Sequence, residues 1–135
     1  MILHQLIPAI LIVLVRSACA ALTPLDLRCD GMSGSSAVGA SPRLSWRVES
    51  SHRGQAQSAW QVLVASSPEL LAEERGDLWD SGKVAAARSP QVTYAGRALV
   101  PGQVCHWKVR CWDLRDRRSE WSEPAVWEVA PLDPD

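Results

Sequence analysis

Phenylalanine and asparagine are absent from this 135-residue chain, tyrosine occurs once, and lysine occurs only as Lys83 and Lys108. Without Asn there is no acceptor for N-linked sugar. Without Phe, and with every Ile lying before residue 13, a core has to be filled by Leu, Val and the seven tryptophans. Nearly all basic residues are Arg, a bias toward G/C-rich codons that points to a high-GC bacterium. No apolar run reaches the roughly 20 residues that a membrane-spanning helix needs. The longest, LIPAILIVLV, ends at Val15 and is followed by the small residues Ala18, Cys19 and Ala20. That order reads as a secretory signal peptide over residues 1–20, cleaved after Ala20, and predicts a secreted or periplasmic product with no membrane partner after cleavage. A lipoprotein signal through Cys19 fits less well, because Arg16 stands where an aliphatic residue is wanted.

Cleavage would leave one domain, residues 21–130, ahead of a linker at 131–135. The whole chain carries a net charge of −1, and losing Arg16 makes it about −2, which argues against nucleic acid or an anionic membrane as partner. A domain of about 115 residues buries roughly 65% of its unfolded surface and can fold without staples. Three cysteines remain, Cys29, Cys105 and Cys111. On one strand Cys105 and Cys111 would lie about 20 Å apart, too far to pair. Cys29 can pair with either across a sandwich; buried free thiols are the favoured reading.

Short segments of period-2 alternation, broken by turn residues, predict an all-β sandwich of about seven strands. PLDLRCD (24–30) reads as the first, and GMSGSSAVGASP (31–42) as a loop with no phosphate-binding spacing. RLSWRVES turns Leu44, Trp46 and Val48 to one side. AWQVLVAS turns Trp60, Val62 and Val64 inward, with Leu63 and Ala65 opposite, as in a central strand. One short helix is expected near residues 68–75, capped by Ser67, opened by Pro68 and stopped by Gly76. LWDSGKV and QVTY are further short strands, VPGQ is a Pro-Gly turn, and PAVWEV is the last strand. In VCHWKVRCW (104–112), Cys105, Trp107, Val109 and Cys111 share the core face, and His106, Lys108, Arg110 and Trp112 the other.

A catalytic constellation is hard to assemble. His52 and His106 lie beside no second metal ligand, so no metal and no cofactor are expected. No nucleophile elbow is present, and the carboxylate pairs Glu73/Glu74 and Asp113/Asp116 read as solvated surface rather than an acid–base pair. The tryptophans are more informative. Trp46, Trp60 and Trp107 fall on core positions; Trp79 and Trp127 suit core or interface. Trp112 and Trp121 sit among Arg110, Arg115, Arg117 and Arg118, which predicts stacked guanidinium and indole groups. Trp112, Trp121 and Trp127 are the candidate contacts for sugar or a partner.

LSWRV and LVPGQVCHWKVRCWD resemble the fibronectin type III sandwich, in which a Tyr usually follows the Leu-x-Pro turn; Cys105 stands there. RSEWSE resembles the Trp-Ser-x-Trp-Ser box of cytokine receptors, with Arg118 in place of the first Trp. AWQVLVASS, LWDSGKV and WSEP, in that order and spacing, are similar to the N-terminal fibronectin type III-like module of bacterial α-L-rhamnosidases of glycoside hydrolase family 78. The resemblance implies an immunoglobulin-like sandwich ahead of further β domains and an (α/α)₆ barrel that removes terminal L-rhamnose with inversion. The family's catalytic glutamates lie in that barrel, so none maps here and this chain alone is not expected to be an enzyme. The resemblance leaves three roles open: an accessory domain packed on downstream domains, a carbohydrate-binding module for rhamnosylated glycans, or a free-standing adhesion or receptor-like sandwich.

Overall fold

A computed structural model describes residues 22–32, 36–87 and 91–131. The signal-peptide segment and, apart from Pro131, the linker lie outside these residues. Two sheets face each other. The smaller has the order β1-β3-β7, built from β1 (Leu22–Cys29), β3 (Arg43–Ser50) and β7 (Val92–Thr93). The larger runs β2-β9-β8-β4-β5, from β2 (Ser36–Val38), β9 (Ala125–Val129), β8 (Val104–Trp112), β4 (Ala59–Ala65) and β5 (Trp79–Asp80), and β6 (Val84–Ala85) also pairs with β4. This is the expected immunoglobulin-like sandwich, with nine strands among the described residues because the thin strands are broken into pairs of residues.

The core follows from the alternation. Leu44, Trp46, Trp60, Val62, Val64, Trp107 and Val109 are buried between the sheets. Trp46 and Trp60 meet edge to face with ring centres 5.7 Å apart. A second chain of rings runs Trp79–Tyr94–Trp127–Trp107, at 5.5, 5.7 and 6.1 Å. These edge contacts use the quadrupoles of large rings where a Phe-rich core would interleave smaller ones. β4 is buried along its whole length, as its doubly apolar pattern predicts, because the helix α1 (Pro68–Ala72) and the Trp121 segment cover its outer face at Leu63 and Ala65.

Two departures from the sequence reading have local causes. Ser36–Val38 forms a strand inside the segment read as loop, pairing in parallel with β9. The helix α1 (Pro68–Ala72) stops earlier than residue 75. Ser67 caps it as expected, accepting from the Leu70 amide at 3.1 Å. Its end is a left-handed cap at Glu74 (φ 58°), with Arg75 N–H donating to the Leu70 carbonyl and Glu74 N–H to that of Leu71. Gly76 does not stop the helix. It admits close packing instead, since a Cβ there would lie 2.6 Å from Leu63 Cδ1.

Cys29, Cys105 and Cys111 are all buried free thiols. Burial pushes Cys29 and Cys105 up to about 12, aided by Asp30 and Cys105 at the first and by Asp77 at the second. Burial also raises Cys111, against a Ser119 hydrogen bond that lowers it. The position after the Leu-x-Pro turn is therefore a buried thiol, and the one tyrosine anchors a different corner. Tyr94 Oη donates to the carbonyl of Arg97 at 2.7 Å, with that of Leu78 at 3.2 Å.

Candidate functional site

The outer face of β8 carries the features that the sequence singled out. Arg110 reaches across β4, where its Nε donates to Gln61 Oε1 at 2.8 Å, and Gln61 in turn donates to Asp80 at 2.8 Å. That bond holds the guanidinium near two rings, 4.3 Å from the centre of Trp121 and 5.7 Å from that of Trp112. Lys108 lies 4.9 Å from Trp121, and Lys83 lies 5.0 Å from Trp112. Along the outer face of β8 the order is cation, ring, cation, ring, cation. Burial lowers Lys108 and Arg110 below their ordinary ranges; Arg110 weakens Lys108 further and Arg118 weakens Arg110, while Glu74 opposes both shifts. Desolvation of this kind makes a cation–ring contact worth more than on open surface.

Trp121 is held in place by an irregular segment that behaves as a substitute strand beside β8. Ser119 and Ser122 each bond twice to it. Their hydroxyls accept from the amides of Cys111 and Val109, both at 3.0 Å. Their own amides donate to the carbonyls of the same two residues, both at 2.8 Å. Two serines three residues apart thus lock the segment to β8, and Trp121, which lies between them after Glu120, is presented to the cations. Its indole N–H donates to Glu74 at the end of α1 (3.0 Å). Trp112 is 9% exposed and Trp121 half-buried, so both candidate rings are largely covered by this chain's own side chains. Trp127 belongs elsewhere: it is fully buried in the core, where no ligand reaches it. Alternation in AVWEV, which puts Trp127 and Val129 inward, is the signal that could have placed it.

The acidic residues also needed correction. Asp113 is fully buried rather than solvated. It closes the turn after β8, accepting from the amides of Arg115 (2.9 Å) and Arg117 (3.0 Å) and from Arg117 Nε (2.9 Å). Burial alone would raise its carboxyl; the Arg117 and Arg115 amides and the Arg117 guanidinium outweigh it and hold it below the usual carboxylate range. Three bonds within the turn hold it, and it is fully buried, so no face of it is open to a substrate. Asp116, exposed and at φ 60°, pairs with Lys83. Glu73 pairs with Arg75 on the surface. Among the described residues no group of three metal-ligating side chains converges. His52 is exposed and His106 half-buried.

A groove of about 390 Å³ runs between Thr23–Leu27 of β1 and Trp121–Ala125. A second of about 390 Å³ lies between Leu22, Val48 and the 55–57 segment. Only the first touches a candidate ring, at the edge of Trp121.

Comparison with known proteins places this geometry. The family model described as the Rha78A-like N-terminal immunoglobulin domain matches residues 24–133. An α-L-rhamnosidase of Streptomyces avermitilis is 49% identical over 90 residues, covering 67% of this chain and 8% of that protein. One from Formosa agariphila is 40% identical over 93 residues, 69% of this chain and 10% of its own length. The solved structure of α-L-rhamnosidase from Dictyoglumus thermophilum superposes with a TM-score of 0.79 at 34% identity, over 83% of this chain and 13% of that one. The Streptomyces avermitilis α-L-rhamnosidase complexed with L-rhamnose gives 0.76 at 41% identity, over 82% and 11%. The chain thus spans about a tenth of the length of the relatives it matches.

Proposed function

Because the chain belongs to the family of Rha78A-like N-terminal immunoglobulin domains, we propose that it serves as the non-catalytic accessory domain of a secreted bacterial α-L-rhamnosidase of glycoside hydrolase family 78. In this reading the downstream part of the enzyme removes terminal α-L-rhamnose from glycosides with inversion, and the sandwich supports that part without touching the reacting sugar. Asp113 is buried and tied to its own turn, which leaves the most buried carboxylate with a structural role. The observation that carries the reading is the covered state of the outward rings. Trp112 and Trp121 are occupied by Lys83, Arg110 and Lys108, whereas a sugar platform needs a bare flat ring with polar neighbours.

One observation favours the second reading, a carbohydrate-binding module: the half-buried Trp121 borders the groove against β1. Titration with L-rhamnose and rhamnosylated glycans, followed by tryptophan fluorescence, separates the two. The accessory role predicts no change up to millimolar sugar. A saturable shift that disappears in Trp121→Leu would replace it with sugar binding. Export is read from residues 1–20 alone, and the intact mass of protein recovered from a bacterial periplasm or medium should begin at Ala21.

A further inference from the structure

We propose that the end of the sandwich made by the Val100–Gln103 turn and the first residue of β8 is the docking surface for the domain that follows this one in the polypeptide. The inference rests on the accessory-domain reading and adds to it the surface through which support is given.

The four exposed large apolar side chains among the described residues are Met32, Val100, Val104 and Leu114. Strand register puts three of them at one end. β8 starts at Val104, the turn from Val100 precedes it, and β1 finishes at Cys29, three residues before Met32, on the same end of the core as Cys105. Leu114 lies beyond the other end of β8, about 30 Å away at ordinary strand rise. Val100 and Val104 are 60% and 41% exposed, and the stretch Val-Pro-Gly-Gln-Val carries no charge. Uncharged, apolar surface of this kind suits the desolvated centre of an interface.

The chain's own path says what covers it. β9 leaves the sandwich at this end and is held to its last residues. Gly102 N–H donates to the Val129 carbonyl and Val129 N–H to that of Gln103, both at 2.8 Å, and Ala130 N–H donates to Val38 at 2.7 Å. The exit is thus bonded to the exposed turn itself. Beyond Ala130 the chain enters the segment read as linker, residues 131–135. Whatever domain follows is therefore tethered from the same end of the sandwich that carries Val100 and Val104. A tether that leaves from this end raises the effective concentration of the following domain there, and a small apolar patch is then enough to hold two domains together.

The test is a chimera in which residues 22–133 replace the matched region of the Streptomyces avermitilis enzyme, compared with the 135-residue chain alone. Amide exchange should slow at least tenfold at residues 102–104 in the chimera and stay unchanged at 114–117. The double variant Val100→Asp, Val104→Asp should abolish that slowing, while Leu114→Asp should leave it intact. Slowing confined to the Leu114 loop, or an effect of Leu114→Asp alone, overturns the docking surface and leaves the accessory role standing. If the catalytic part unfolds at the same temperature with and without the sandwich, and no amide of the sandwich slows, both readings fail together.

Discussion

Arg110 is the member of the cation–ring stack whose removal reports most on how the outer face is held. Replacement by Met keeps the length and apolar stem of the side chain but removes the charge and the donor. The contact with Trp121 at 4.3 Å is desolvated and worth about 1 kcal/mol, and the longer one with Trp112 at 5.7 Å about 0.5 kcal/mol. The bond to Gln61 at 2.8 Å has a charged donor and adds about 1.5 kcal/mol net. Part of that sum is returned because the guanidinium no longer has to be desolvated, leaving a loss of about 2 kcal/mol. For a domain of this size such a loss lowers the melting temperature by about 8 °C. Thermal unfolding of Arg110→Met, Trp121→Leu and the double variant completes a cycle, with a coupling of about 1 kcal/mol expected. Losses that add to within about 0.3 kcal/mol would refute a stack in which ring and cation hold one another.

Three further outcomes follow from the same geometry. Trp46→Ala removes the edge contact with Trp60 and the indole bond to Gln57, and should cost about 3–5 kcal/mol; an unchanged urea midpoint would remove Trp46 from the core. Asp113 is held below the ordinary carboxylate range in the fold. Its contribution is therefore complete above the unfolded-chain pKa of about 3.9 and is lost as pH falls through the lower native value, so acid titration of Asp113→Asn should show a shallower loss of stability than the parent. Cys29 and Cys105, pushed up to about 12, should resist a thiolate reagent at pH 8 in the native protein and react fully in denaturant; fast native labelling of either would show that the thiol is accessible.

Much of this was legible because alternation and burial coincide. Trp46, Trp60 and Trp107 fall on the core face by alternation alone, and stacking of arginine on Trp112 and Trp121 follows from their place among Arg110, Arg115, Arg117 and Arg118. β2 was not legible: it is three residues of a Gly/Ser-rich stretch, and its partner β9 lies about ninety residues away. A pairing at that range leaves no local signal. Asp113 was misread because Arg115, Asp116, Arg117 and Arg118 surround it with polar text. The carboxylate goes inside because two amides and a guanidinium of that same text converge on it. Met32, Val100 and Val104 carried no periodic signal, and their common end of the fold becomes visible only once strand register is known.

The way β9 is bonded has a mechanical consequence. It pairs antiparallel with β8 and parallel with β2, and it leaves the sandwich at the end opposite Leu22, which packs beside Cys111. Tension between the two termini therefore runs along the strand axes. β9 cannot peel away one bond at a time; its ladders to β8 and β2 share the load and must shear together. A domain wired in this way transmits a pull to whatever follows it as a stiff strut, and it yields only after both flanks of its last strand give way.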